Sequence, residues 1–237
     1  MHIVLIPGLW LDGSSWDRVT PVLEQAGHVP HPLTLPGLES TAADRSAVTL
    51  QDHIDAVVAA VDAVPAEEGK VLVVGHSLGS ALAFAAGDAR PDRVAGTVFI
   101  GGFPAADGDP LGSFTAENGE IPLPSWEDIG EDDLKDLDDA ARADFRARAV
   151  PSPERVTTDP LHLTSDRRYD VPVTVICPEF SAGQLKAWID AGEPSVQEFT
   201  KLRDVEYVDL PTGHWPQFSR PDDLGRAIND AAAKAAR

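Results

Sequence analysis

Apolar positions along this chain fall into two rhythms. Short runs such as Ile3-Val4-Leu5-Ile6, Val71-Leu72-Val73-Val74, Thr97-Val98-Phe99-Ile100 and Val173-Thr174-Val175-Ile176 are nearly continuous and rich in β-branched residues. Strands covered on both faces read this way. Between them lie longer Ala-rich or amphipathic stretches with the spacing of helices. The alternation predicts parallel strands joined by crossover helices. Strands are expected near 2–6, 29–35, 71–75, 94–101, 171–177 and 205–210, and helices near 15–26, 50–64, 78–89, 183–191 and 222–236. The interval from about 107 to 168 breaks the rhythm, with scattered prolines, an acidic helix-like patch at 131–150 and no convincing strand. It reads as an insertion between two strands, a small and mainly helical lid at the carboxyl end of the sheet.

A chain of 237 residues suits a single α/β domain spanning 1–237 with that insertion. The formal net charge of −20 disfavours nucleic acid and anionic membranes as partners. Residues 127–139 contribute −7 of it, from eight acids against one lysine, and read as a solvated face. Cys177 is the one cysteine, so neither an internal disulfide nor a thiolate metal cluster is expected. With no basic leader and no apolar stretch near twenty residues, the expectation is a soluble cytoplasmic protein. The oligomeric state has no signature in the sequence.

The strongest chemical signal is Gly75-His76-Ser77-Leu78-Gly79, a G-x-S-x-G pentapeptide set between a predicted strand and a predicted helix. A serine on so tight a turn needs small neighbours two residues away on each side, and the turn aims helix N–H groups at an oxygen turning negative beside it. Ser77 is therefore the candidate nucleophile. Its hydroxyl needs a base, and His214 follows the last strand through Pro211-Thr212-Gly213, which presents it to the same sheet edge. His2, His28, His31, His53, His76 and His162 read as structural or solvated, and none stands at metal-ligand spacing. A carboxylate must hold the imidazole in one tautomer. Glu179, two residues past the strand ending at Cys177, fits best, and Asp107 and Asp109 remain alternatives. For the oxyanion the expected donors are the N–H of Leu78 and that of Leu9, on the Pro7-Gly8-Leu9-Trp10 loop. Trp10 and Trp215 adjoin these loops and lead the candidates for an apolar substrate pocket, with Trp126, Phe103 and Phe180 behind them.

Elbow, Pro-Gly loop, late histidine and sheet order together resemble the α/β-hydrolase superfamily over nearly the whole chain. The stretches Leu5-Ile6-Pro7-Gly8-Leu9-Trp10, Leu23-Glu24-Gln25-Ala26-Gly27-His28 and Val175-Ile176-Cys177-Pro178-Glu179-Phe180, with Trp16 and Trp188, are similar to the branch of small methylesterases and hydroxynitrile lyases. Lyases of that branch tend to carry threonine in place of Gly8 and lysine in place of Trp215. The resemblance thus implies a cofactor-free hydrolase of small hydrophobic carboxylic esters, working through Ser77, His214 and an acid. In its relatives the acid is an aspartate at the position where this chain has Phe180, so the acid here is Glu179 after a backbone shift, a residue of the 107–109 loop, or absent. The rival readings are other chemistry on the same fold (lyase, C–C hydrolase, amidase, acyltransferase) and a slow-turnover ligand-binding protein.

Overall fold

A computed structural model describes residues 1–236 of the chain. Among them the strands are β1 (His2–Ile6), β2 (Val29–Pro32), β3 (Val71–His76), β4 (Val94–Ile100), β5 (Glu120–Ile121), β6 (Ser152–Pro153), β7 (Val173–Cys177) and β8 (Val205–Asp209). The helices are α1 (Thr20–Gln25), α2 (Leu50–Ala63), α3 (Gly79–Ala89), α4 (Asp139–Arg148), α5 (Arg155–Thr158), α6 (Ala182–Ala191), α7 (Pro216–Ser219) and α8 (Pro221–Ala235). Six strands form one sheet in the order β2-β1-β3-β4-β7-β8, every neighbouring pair parallel. This is the expected α/β fold.

The period of two along each strand sorts side chains into two cores. Val4, Ile6, Val71, Val73 and Phe99 join α2 and α3 on one face. Ile3, Leu5, Leu72, Val74, Val98 and Ile100 join Leu23 of α1 and Leu224 and Ile228 of α8 on the other. With both faces covered, the apolar runs are buried from end to end, as they must be. The chain leaves β1 for β2 on one side and then crosses to β3 on the other. At such a switch point the loops leaving adjacent strands diverge and open a crevice at their carboxyl ends. Leu9 follows β1 and Ser77 follows β3, so both border it.

Four expectations need correction. The helix foreseen at 15–26 is a 3₁₀ turn, Gly13–Trp16, followed by the short α1. Pro21 starts α1 at its first turn because it has no N–H to continue an earlier helix. The second strand ends at Pro32 rather than at 35, since it is an edge strand in which Pro30 and Pro32 carry no donor. The insertion is less helical than foreseen: α4 is its one ten-residue helix. Residues 131–136 form turns, with Asp136 at φ 63°, because adjacent carboxylates repel along a helix. Finally, the insertion does contain strand, the two-residue antiparallel ribbon of β5 and β6. Leu134, Leu137 and Phe145 of the insertion form a third core with Leu11, Trp215 and Phe218. No helix among the described residues is long and apolar enough to cross a membrane.

Candidate active site

Ser77 sits at φ 53°, in the left-handed region that side chains rarely occupy. The surroundings hold it there: its N–H donates to Ile100 C=O at 2.8 Å, and its C=O accepts the Ser80 N–H at 2.9 Å as α3 begins. The turn is tight enough that a Cβ on Gly75 would lie 2.0 Å from the Gly79 carbonyl oxygen. Only glycine fits there. Strained backbone of this kind costs on the order of 1–3 kcal/mol and persists where surrounding structure imposes it.

The structure brings Glu179 to His214, with 2.8 Å between Glu179 Oε1 and His214 Nδ1. A carboxylate accepts, so Nδ1 carries the proton and Nε2 keeps its lone pair free for a proton from a hydroxyl. Asp107 is not at the imidazole, because its Oδ1 accepts the Leu163 N–H at 2.8 Å within the insertion. Asp109 lies on the insertion side of a neighbouring cavity. Phe180, at the position where the resemblance implies an aspartate, turns into the core and packs on Phe103 and Trp188 with ring centroids 5.5 Å from each.

His76, beside Ser77, is a structural support. Its Nε2–H donates to the His214 carbonyl at 2.7 Å, and its Nδ1 faces the Gln217 amide at 3.3 Å. Complete burial first, and then His214 nearby, pull its pKa from 6.5 down to about 3. A neutral His76 donating at Nε2 fixes the backbone of His214 without adding a charge beside it. His53 likewise is buried, and its Nε2 meets the Pro36 carbonyl.

Among the described residues neither the Leu9 nor the Leu78 N–H is donated to another protein group, as an oxyanion site requires. The Trp10 N–H is already committed to Ser152 Oγ at 2.8 Å. Trp10, at φ 66°, is pinned further by its indole N–H on the Ile121 carbonyl and by Val150 N–H on its own carbonyl. This clamp from β5 and β6 takes the Trp10 N–H out of use as a donor and leaves that of Leu9 uncommitted.

Ser77 and Phe114 border two cavities. One, of about 860 Å³, is lined by Leu9, Trp10, Ile121, Glu179, His214 and Trp215 among others. The other, of about 730 Å³, runs past Leu78, Gly102, Phe103 and Leu111. Trp10 and Trp215 both line the first cavity, and Phe103 lines the second. Trp126 and Phe180 line neither: Trp126 packs on Phe145, and Phe180 is core. No hydrogen bond joins Ser77 Oγ to His214 among the described residues. Such bonds are commonly long before substrate binds. The sequence offered no signal for Phe114, an exposed aromatic in an irregular stretch, or for Ser152, whose hydroxyl meets Trp10 from 142 residues away.

This elbow, on this sheet, defines a class. The chain belongs to the alpha/beta hydrolase family, whose sequence model matches residues 3–227. Within that family it falls in the methylesterase-like branch. Methylesterase 7 of Arabidopsis thaliana is 24% identical over 258 residues, covering 98% of this chain and 96% of the relative. A pyrethroid hydrolase of Sphingobium wenxiniae is 26% identical over 251 residues, covering 97% and 87%. Among solved structures, an extracellular α/β-hydrolase from a Paenibacillus species superposes with a TM-score of 0.75 at 21% identity, over 98% of both chains.

Proposed function

We propose that this protein is a serine hydrolase of neutral carboxylic esters, with Ser77 as nucleophile, His214 as general base and acid, and Glu179 as the carboxylate that orients His214. The observation that carries the reading is the 2.8 Å contact of Glu179 with His214 Nδ1, made on the cavity that Ser77 also lines. Ser77 Oγ attacks the ester carbonyl carbon while His214 Nε2 takes its proton. The carbonyl oxygen becomes an oxyanion between the Leu9 and Leu78 N–H groups. The intermediate collapses, the C–O bond to the alcohol breaks, and His214 returns the proton to the departing oxygen. Water, deprotonated by His214, then attacks the acyl-enzyme and releases the acid and the free serine. One ester and one water give one acid and one alcohol, and no cofactor enters the cycle.

The two cavities meeting at Ser77 and Phe114 suit an ester with an apolar group on each side of the carbonyl. Glu117, Asp128, Asp133 and Glu179 line the first cavity without a lysine or arginine, which disfavours an anionic substrate. Relatives named methylesterase and pyrethroid hydrolase support ester chemistry. Gly8 and Trp215, standing where cyanohydrin lyases carry threonine and lysine, favour hydrolysis.

The test is labelling of the whole chain with a fluorophosphonate, beside Ser77→Ala, read by intact mass, followed by a panel of neutral esters with product identification. A single adduct absent from the variant, with free acid as product and turnover reduced on the order of 10⁴-fold or more in Ser77→Ala, is the expected result. No adduct on folded protein, with ligand binding unchanged in the variant, would replace this reading with a binding protein. Transfer product in place of free acid would replace it with an acyltransferase.

A further inference from the structure

His214 has a second carboxylate neighbour, from the insertion. One carboxylate oxygen of Asp133, one of Glu179 and a ring nitrogen of His214 all lie within 4.8 Å of one another, and all three residues are half-buried. The placement of Asp133 is built into the fold. Its carbonyl accepts the His214 N–H at 2.8 Å, and the carbonyl of Lys135 accepts the Gly213 N–H at 3.1 Å. The two segments approach so closely that a Cβ on Gly213 would lie 2.3 Å from the Asp133 carbonyl oxygen. Between the two acceptors, Leu134 is buried in the core shared with Trp215. The side chain of Asp133 also borders the cavity that holds Ser77.

We propose that Asp133 is a positioning residue for the reaction: a second carboxylate, carried by the insertion, that shares with Glu179 the stabilisation of the imidazolium formed when His214 takes the serine proton. The inference rests on the serine hydrolase reading. A cation growing between two carboxylates in a partly dry site is stabilised by both, whereas the neutral imidazole of the resting enzyme gains little from the second. The effect therefore falls on the transition state and on kcat. Burial pushes the Asp133 carboxyl up, with His214 pulling it back and Glu179 and Asp132 adding to the rise. The charged or titratable groups around His214 are Glu179 from the loop after β7, Asp133 with Asp132 from the insertion, and a neutral His76 from the elbow. Lys135 lines the opening beside Asp132 and Glu179. The arrangement also ties catalysis to docking of the insertion, since Asp133 reaches His214 only when 130–135 lies against Gly213.

Asp133→Asn keeps the size and the backbone bond to His214 while removing the charge, and Asp133→Glu retains it. Both are compared with wild type by kcat, KM and the pH profile of kcat/KM on one neutral ester, with fluorophosphonate labelling of Ser77 and thermal unfolding as controls. In Asp133→Asn we expect kcat to fall about tenfold with KM nearly unchanged. The acidic limb of the profile should move to lower pH, because losing a neighbouring negative charge makes the imidazole easier to deprotonate. Asp133→Glu should restore the limb. An unmoved limb in Asp133→Asn, with or without a fall in kcat, would overturn the proposal and leave the segment a purely structural support. Hydrolysis that survives Ser77→Ala would instead sink the reading beneath it, so the two failures are distinguishable.

Discussion

At the scale of single residues, one position separates the acid that the family resemblance implies from the acid that meets the histidine. The resemblance puts it at Phe180, and the preceding Glu179 reaches His214 Nδ1 from one residue earlier. Glutamate has one more methylene than aspartate, which supplies the reach, while the Phe180 ring is buried against Phe103 and Trp188. In the proposed mechanism, Glu179→Gln leaves the geometry near native but offers an amide that no longer enforces the Nδ1–H tautomer. Turnover should fall by about 10³- to 10⁴-fold. Asp107→Asn keeps an acceptor for the Leu163 N–H and should leave turnover within about twofold of wild type. Steady-state kinetics on the two variants decides between them, and the opposite ranking would move the acid to the 107–109 loop.

At the scale of elements, the insertion is tied to the sheet edge that carries the candidate site through aromatic packing. Phe145 of α4 lies 5.1 Å from Trp215 and 5.2 Å from Phe218, centroid to centroid, and Trp215 in turn meets the His214 ring edge-on at 5.0 Å. Phe145 is thus the keystone of a small core that positions the residue after the proposed base. Phe145→Ala should cost about 3–5 kcal/mol, as large-to-small changes at buried aromatics do. Urea unfolding followed by tryptophan fluorescence measures it. Because the same core seats Trp215, activity should fall further than the loss of folded population accounts for. The acidic run that defeats a long helix at 131–136 has a consequence at this scale: as turns rather than helix, it bends the chain so that Asp133 and Lys135 face His214 and Gly213 with their carbonyls.

At the scale of the whole molecule, acid stability links the site to the fold. His76 is fully buried and neutral, with its pKa drawn from 6.5 to about 3 chiefly by burial, and burial also lowers that of His53. The unfolded chain takes up the His76 proton below pH 6.5, whereas the folded chain does not until pH approaches 3. The stability contributed by His76 is therefore fully present above 6.5 and is lost as pH falls from 6.5 toward about 3, at up to about 1.4 kcal/mol per pH unit, and His53 acts in the same direction. Denaturant unfolding of wild type and His76→Gln across that window should show a shallower fall in the variant, and parallel curves would refute the account. Much of this molecule was legible along the chain. The two hydrophobic periods, the G-x-S-x-G turn and the late histidine are local patterns, because burial on both faces of a strand and the steric demands of a tight turn act over a few residues. Strand order, the choice of Glu179 over Asp107 and Asp109 as the carboxylate that meets a histidine 35 positions away, the clamp on Trp10 and the arrival of Asp133 at His214 were not legible. One acid among eight in the run from 127 to 139 carries no local mark that distinguishes it. Those contacts depend on how separate elements pack, and only the tertiary structure, by closing the insertion onto the sheet edge, decided which polar groups share the site.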